Sequence, residues 1–135
     1  MRTENINEED IDFAILAVNS HLKMYKLCWK INQQKKYNFK KTKNHINTNN
    51  PNQSFSKYTF FNEKTNTKYD ILSNSSEKGF LDSINKSVNY FIVIQGGVYN
   101  TQKIIESLNR IEGILLVFEL SLYKIKSITP FIIND

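Results

Sequence analysis

Three short apolar runs constrain the fold of this chain more than any other feature. They span residues 13–18, 90–95 and 114–120, and their length and their content of β-branched and aromatic residues are typical of buried strands. Each run is far shorter than the roughly 20 residues that a helix needs to cross a bilayer. The runs therefore predict a β-sheet at the centre of the protein.

The first run is followed by a segment with helical periodicity. We predict a helix over residues 21–34, capped at its N-terminus by Asn19 or Ser20. Tyr25 and Trp29 widen the apolar side, so Trp29 is expected to be mostly buried. The apolar stripe consists of Met24, Leu27, Cys28 and Ile31.

A hairpin and a second helix are predicted farther along the chain. Residues 57–62 and 68–73 alternate between aromatic and polar side chains around a short polar connection, which is typical of a β-hairpin. After the strand at 90–95, Asn100 or Thr101 caps a helix that ends at Gly113. Its apolar stripe consists of Ile104, Ile105, Leu108 and Ile111.

The resulting order is β-α-β-β-β-α-β, which predicts an α+β fold. We expect a two-layer sandwich of one mixed, mainly antiparallel sheet, with both helices on one face because crossover connections are right-handed. A chain of 135 residues is of single-domain size. Residues 1–11 are predicted to be an acidic N-terminal segment, residues 40–56 a flexible loop rich in Asn and Lys, and residues 125–133 are a candidate edge piece interrupted by Pro130.

Positive charge is concentrated in one part of the chain. Between Asp12 and Glu63 there are nine lysines and no acidic residue, so this part carries +9 and the remainder −4. Lysine attracts phosphate backbones, and aromatic rings stack on bases. The aromatic residues interleaved with these lysines are Tyr37, Phe39, Phe55 and Tyr58. The candidate contacts with a nucleic acid or an acidic partner are Lys35, Lys36, Lys40, Lys41 and Lys43.

A simpler explanation of the lysines competes with this one. Asn, Lys and Ile are abundant and only Arg2 and Arg110 are arginines, which is the pattern that AT-rich codon usage produces. Specific readers of nucleic acid usually use arginine for bidentate contacts. An ordinary solvated lysine face is therefore the alternative interpretation of the same residues.

No residue pattern predicts a catalytic, cofactor or metal site. Cys28 lies on the apolar stripe of the first helix, where packing is favoured over nucleophilic chemistry. His21 is interpreted as a helix-start residue and His45 as part of the solvated loop, since they lack metal-ligand spacing. The dipeptide Gly96-Gly97 favours a tight turn over a phosphate-binding loop, because no G-x-G-x-x-G pattern follows.

The acidic cluster near the N-terminus is the remaining candidate for metal binding. Glu8, Glu9, Asp10 and Asp12 offer hard oxygen ligands, but they lack the spacing and the glycine of a calcium-binding loop. A solvated segment is the favoured interpretation, with pairing to the lysine-rich part of the chain as an alternative role.

The chain resembles the IPExxxVDY family of small bacterial proteins along most of its length. In the motif that names the family, Val88 and Tyr90 match, and Asn89 stands in the place of Asp. The resemblance implies no activity, because none is established for the family. The positions Ile-Pro-Glu are occupied by Asp82, Ser83 and Ile84. The other similar residues are Asp12-Phe13, Tyr25 to Trp29, Ile31-Asn32, Phe60, Tyr69, Leu72 to Asn74, Gly79 to Leu81 and Ile125 to Ser127.

These observations favour a binding protein over an enzyme. The leading hypothesis is a non-enzymatic binding or accessory protein with an unidentified protein partner. The first alternative is an RNA-associated accessory protein that uses the basic region from Lys23 to Lys57, and a small enzyme is the third. A cytoplasmic location is expected, because the N-terminal residues include no apolar signal core and the single cysteine fits a reducing compartment.

Overall fold

The computed structural model describes residues 13–121 and 128–133. It contains one six-stranded sheet, a small two-stranded sheet and two helices, so the predicted α+β fold is confirmed. The elements are β1 (Phe13–Ser20), α1 (Met24–Asn32), β2 (Lys40–Ile46), β3 (Ser54–Asn62), β4 (Thr67–Ser73), β5 (Ser75–Ser76), β6 (Gly79–Phe80), β7 (Tyr90–Gln95), α2 (Thr101–Asn109), β8 (Ile114–Glu119) and a 3₁₀ turn (Thr129–Phe131).

The large sheet has the strand order β2-β3-β4-β7-β1-β8, and every neighbouring pair is antiparallel. Because directions alternate across the sheet, β1 runs parallel to β2, and β7 runs parallel to β8. Each of these parallel pairs is joined through a helix, α1 in the first case and α2 in the second. The two β-α-β connections therefore exist, but other strands lie between the strands they join.

Both helices cover the same face of the sheet. Leu27, Cys28 and Ile31 of α1 and Ile104 and Leu108 of α2 belong to one buried cluster, as the amphipathic stripes predict. The strand residues in this cluster are Leu16, Val18, Tyr69, Ile71, Tyr90, Ile92, Ile94, Ile114 and Val117.

The opposite face has an apolar core of its own. The ring of Phe91 packs edge-on against Phe131 at a centroid distance of 5.0 Å, and Leu81 and Val88 from the segment before β7 join them. Strands β1 and β7 are therefore buried on both sides, which explains why their sequences are apolar without alternation.

The flexible loop predicted over residues 40–56 is wrong. Lys40–Ile46 forms β2, which pairs with β3 from Ser54 onward, and only a short turn separates the two strands. A bulge between Thr42 and His45 interrupts the pairing. An edge strand with exposed polar side chains is stabilised mainly by its backbone hydrogen bonds, so it carries no hydrophobic period to reveal it.

The ends of the helices agree only in part with the sequence. Helix α1 begins after Lys23 without a side-chain cap, while Ser20 still belongs to β1 and donates its hydroxyl to the carbonyl of Gly113 at 2.6 Å. The predicted cap at Asn19 or Ser20 is therefore wrong. Asn100 caps α2 as predicted, because its Oδ1 accepts a hydrogen bond from the backbone N–H of Lys103 at 3.0 Å.

Two predicted segments fall partly or wholly beyond the described residues. The acidic segment 1–11 lies outside them, and of the candidate edge piece over 125–133 only residues 128–133 are described, where a 3₁₀ turn contains Pro130. Within the described ranges, neither helix has the length and apolar character needed to traverse a membrane.

Candidate functional site

The five lysines singled out as contacts are all exposed. Two of them follow the C-terminal end of α1, and three lie on the edge strand β2. They are Lys35 and Lys36 after the helix, and Lys40, Lys41 and Lys43 on the strand. The structure therefore brings them to one edge of the large sheet.

Neighbouring lysines of β2 point to different faces. Lys41 lies opposite Tyr58 in the strand pairing, and its ammonium group is 5.8 Å from the centre of that ring, on the face that carries the helices. Lys40 lies opposite Thr59, on the other face. The lysines of β2 therefore lie on both faces of the sheet at its edge.

Part of the predicted basic region is not a surface. Lys57 is only 2% exposed on β3, and Phe39 and Phe55 are buried in the two cores. Lys57 lies opposite Leu72 in the strand pairing, so its side chain is on the same face as the second core. The region from Lys23 to Lys57 therefore does not form one continuous interface, and these two aromatic residues are not available for stacking.

Two exposed aromatic residues are on helix α1. Trp29 is 54% and Tyr25 is 64% exposed, so the prediction that Trp29 is mostly buried is wrong. With 3.6 residues per turn, Trp29 lies about 150° around the helix from the centre of the buried stripe. The ammonium group of Lys26 stands 4.8 Å from the centre of the Trp29 ring.

A pair of hydrogen bonds fixes the direction of one flank of α1, the side of the helix that carries Asn32. The side chain of Asn32 bonds both the N–H and the carbonyl of Phe39, at 2.8 and 3.0 Å, immediately before β2 begins. Tyr25 precedes Asn32 by seven residues, so it shares its flank of the helix. Tyr25 therefore lies on the flank of α1 that turns toward the start of β2, whereas Trp29 lies on the outer side of the helix, directed away from the sheet.

A groove of about 570 Å³ opens where α1 ends and β2 begins. Among the residues that line it are Lys35, Lys36 and Lys64, and Phe61 contributes a ring that is 49% exposed. Lys64 comes from the β3–β4 turn, and it was missed because a lysine in a polar turn has no sequence pattern that predicts a site. The remaining lining residues are Tyr37, Phe60, Asn62, Glu63 and Tyr69.

Four aromatic rings form the floor of the groove and the core beneath it. Their centroids are 5.6 to 6.2 Å apart, in stacked and edge-on pairs. Burial raises the pKa of Tyr37 and of Tyr69, so both phenols stay neutral at physiological pH. The four rings are those of Tyr37, Phe39, Phe60 and Tyr69. The groove therefore combines a rigid apolar floor with a cationic rim.

Of the predictions for Cys28 and His45, the first is confirmed and the second is wrong. Cys28 is buried, and this burial raises its pKa to about 12, which confirms the packing interpretation. His45 is also buried, so its assignment to a solvated loop is wrong. Its Nε2 lies 2.6 Å from the carbonyl oxygen of Pro130, because the bulged strand β2 turns the ring toward the covered face.

A buried carboxylate lies on the face opposite the helices. Asp70 is fully buried; its Oδ1 accepts the hydroxyl of Thr59 at 2.6 Å, and its Oδ2 lies 3.5 Å from the ammonium group of Lys68. A carboxylate in such a place is a possible general base. However, Asp70 is fully buried and its carboxylate is held by Thr59 and Lys68, so we assign it a structural role.

The Gly96-Gly97 turn is explained by packing. Both glycines have positive φ, and the N–H of Val98 donates to the carbonyl of Thr65 at 3.1 Å. A Cβ on Gly97 would clash with that same carbonyl oxygen. The close approach of two backbones requires glycine here, so the tight-turn interpretation is confirmed.

Comparisons with protein families and with curated proteins give no match. The chain matches no protein-family model, and no curated protein matches it significantly. The resemblance to the IPExxxVDY family therefore stays a prediction. Across residues 13–121 and 128–133, no three His, Cys, Asp or Glu side chains are grouped so that they could hold a metal ion; the acidic cluster from Glu8 to Asp12 lies outside these ranges.

Proposed function

We propose that this protein is a non-catalytic binding protein whose ligand is single-stranded RNA. The observation that carries the proposal is the exposed pair of Trp29 and Lys26 on the outer side of α1, the helix whose C-terminal end leads to the lysines of β2. Single-strand binding proteins combine a positively charged path for the backbone with exposed rings on which bases stack. The surface formed by the outer side of α1 and by β2 is referred to below as the basic-aromatic surface.

The charge of the basic-aromatic surface supports this ligand. Of the nine lysines between Asp12 and Glu63, seven are exposed, since Lys57 is buried and Lys30 is partly covered beside Glu112. Because no acidic residue interrupts this part of the sequence, a phosphate backbone meets no carboxylate from it. A cytoplasmic location is part of the same proposal.

Edge protection is the main competing explanation of the lysines on β2. Lysines on an edge strand prevent the sheet from pairing with other chains. That explanation accounts for Lys40, Lys41 and Lys43 but not for the exposure of Trp29 and Tyr25, which are costly to leave in water. Exposed aromatic rings beside a lysine of the same helix favour a binding surface instead.

The proposal is tested by measuring RNA binding as a function of salt. The full chain is titrated with a fluorescent single-stranded RNA, and each phosphate contact contributes about 0.7 to the slope of log affinity against log salt concentration. We expect Trp29→Ala to weaken binding without changing the slope. The triple variant Lys40→Glu, Lys41→Glu, Lys43→Glu should weaken binding and flatten the slope.

A matched control separates this surface from net charge alone. The variant Lys86→Glu, Lys103→Glu, Arg110→Glu changes the charge by the same amount at exposed positions that belong to neither α1 nor β2. It should retain most of the affinity of the wild type. Equal losses in the two triple variants, with no effect of Trp29→Ala, would mean that only non-specific attraction was measured and that the proposal is wrong. Binding of an acidic protein in place of RNA would also contradict it.

A further inference from the structure

The groove at the start of β2 concentrates positive charge on an aromatic floor. Lys35, Lys36 and Lys64 line it, against one carboxylate from Glu63. None of the ion pairs within the described part of the chain involves these three lysines. Their charge is therefore available to a ligand, and one ligand group with two negative charges would balance the net charge of the lining.

The charge of a ligand phosphate depends on where it lies in a strand. An internal phosphodiester carries one negative charge, whereas a phosphate monoester carries about 1.5 to 2 at neutral pH. Lysine ammonium groups act as point charges that respond to this difference. Three lysines around one groove therefore favour a monoester over the diesters of the strand interior.

The groove also offers a place for the base next to such a phosphate. The ring of Phe61 is half-exposed at its rim, and base stacking on an aromatic ring is tolerant of sequence. The volume of about 570 Å³ lies within the range of about 300 to 1,000 Å³ that is typical of small-ligand sites. It is sufficient for one nucleotide.

The position of the groove connects it to the basic-aromatic surface. Strand β2 begins at Lys40, four residues after Lys36, and runs away from the groove. Lys40 and Lys43 are about 10 Å apart along the strand at about 3.3 Å per residue. An RNA strand whose end lies in the groove therefore meets further lysines as it continues along the edge of the sheet.

The backbone of Lys35 has the left-handed conformation that is common just after a helix end. Its φ is 66°, and its N–H donates to the carbonyl of Asn32 at 3.0 Å. Glycine is the favoured residue in this conformation. The same geometry provides a useful variant, because Lys35→Gly removes the charge and fits the backbone better than the natural residue.

We propose that this groove binds the phosphorylated end of the single strand, with Lys35, Lys36 and Lys64 holding the terminal phosphate monoester and Phe61 stacking on the adjoining base. This inference rests on the proposed function, because the remainder of the strand occupies the basic-aromatic surface. Glu63 opposes the phosphate and limits its affinity.

The experiment compares one RNA sequence in three forms: a 5′-phosphate, a 3′-phosphate, and hydroxyl groups at both ends. We expect one phosphorylated form to bind the full chain roughly tenfold or more tightly than the hydroxyl form, the effect of one good contact with a charged group. Lys35→Gly should abolish this preference without lowering the melting temperature. Glu63→Gln should increase it. Lys86→Ala should leave it unchanged, because Lys86 lies before the start of β7, at the other end of the sheet from the groove.

The outcomes separate this inference from the proposed function. If all three forms bind equally well, the basic-aromatic surface stands and the terminal-phosphate site is wrong. If none binds, both proposals are wrong. A free nucleoside monophosphate that competes as well as the phosphorylated strand would show a mononucleotide site, and it would overturn the strand-end assignment.

Discussion

The two faces of the large sheet bury different chemistry. The face under α1 and α2 is covered by aliphatic and aromatic side chains throughout. The opposite face is apolar over β1 and β7, but over β3 and β4 it buries Lys57 and Asp70. The comparison teaches that apolar burial follows the periodicity of the sequence, whereas burial of charge depends on which strands become central.

The first test asks whether the two faces are equally well packed. Phe91 and Ile92 are neighbours on β7 that point to opposite faces, and both are buried. Phe91→Ala should lower the free energy of unfolding by about 3 to 5 kcal/mol, and Ile92→Ala by about 2 to 5 kcal/mol. Urea unfolding measures both.

The comparison between the faces fails if Phe91→Ala costs less than about 1 kcal/mol, the average effect of a point substitution. The segment that carries Phe131 would then be a loose cover rather than part of a core. Phe131→Ala serves as the matched variant, because it removes the other ring of the same pair and should show a comparable loss.

The second test concerns the buried charge on the face opposite the helices. Asp70→Ala should destabilise the protein by about 1.5 to 3 kcal/mol, because the partly buried Thr59 and Lys68 lose the carboxylate that they contact. Thr59→Val removes the hydroxyl that donates to Asp70 at 2.6 Å, and it should cost about 1.5 to 3 kcal/mol, the contribution of a hydrogen bond to a charged group. Denaturant unfolding of both variants and of the double variant gives the coupling energy.

If the two losses are simply additive, the hydrogen bond between Thr59 and Asp70 contributes nothing to stability. If Asp70→Ala stabilises the protein, the desolvation cost of the carboxylate outweighs its interactions. The buried polar residues of this face then lower the free energy of unfolding.

The third test uses His45, a titratable residue that is buried on the face opposite the helices. Burial lowers its pKa below the ordinary value of 6.5, Lys57 lowers it further, and the carbonyl of Pro130 and Asp70 oppose the shift. The unfolded chain therefore binds the proton more readily, so the stability that His45 contributes is fully present above pH ~6.5 and is lost as the pH falls below it.

His45→Gln keeps a donor for the carbonyl of Pro130 and removes the titration. Urea midpoints between about pH 7.5 and 5 should fall less steeply for this variant than for the wild type, since carboxylates titrate mostly below this range. Identical slopes for the two proteins would mean that His45 is as accessible to protons in the folded state as in the unfolded chain.

The sequence predicts the elements that bury apolar side chains and misses those that do not. The β3–β4 hairpin, strands β1, β7 and β8, and the cap of α2 by Asn100 are all found from local patterns. Strand β2 is missed because its stability comes from pairing with β3 rather than from a hydrophobic period. With β2 unrecognised, the burial of Lys57 and His45 has no local signal.

The candidate site is predicted in the same uneven way. Charge is visible in sequence, so the exposed lysines after α1 and on β2 are identified correctly as exposed residues. The groove joins Lys35 and Lys36 to Phe61 near the end of β3 and to Lys64 of the following turn, which are distant in the sequence. The direction of each side chain around α1 requires the angle from the buried stripe, and neglect of that angle placed Trp29 in the core.

The smallest expected effect is the loss of stability in Trp29→Ala, which tests whether the Trp29 side chain lies outside the core. Trp29→Ala should change the free energy of unfolding by no more than about 0.5 kcal/mol, as at an ordinary surface position, whereas a core tryptophan would cost about 3 to 5 kcal/mol. In the wild-type protein, the fluorescence emission maximum of Trp29 should lie close to that of tryptophan in water, because the ring is 54% exposed. Leu27→Ala, a substitution on the buried stripe of the same helix, should cost about 2 to 5 kcal/mol and serves as the matched control. A blue-shifted native spectrum together with a large loss of stability in Trp29→Ala would place the ring in the core, and it would remove the stacking residue on which the proposed RNA surface depends.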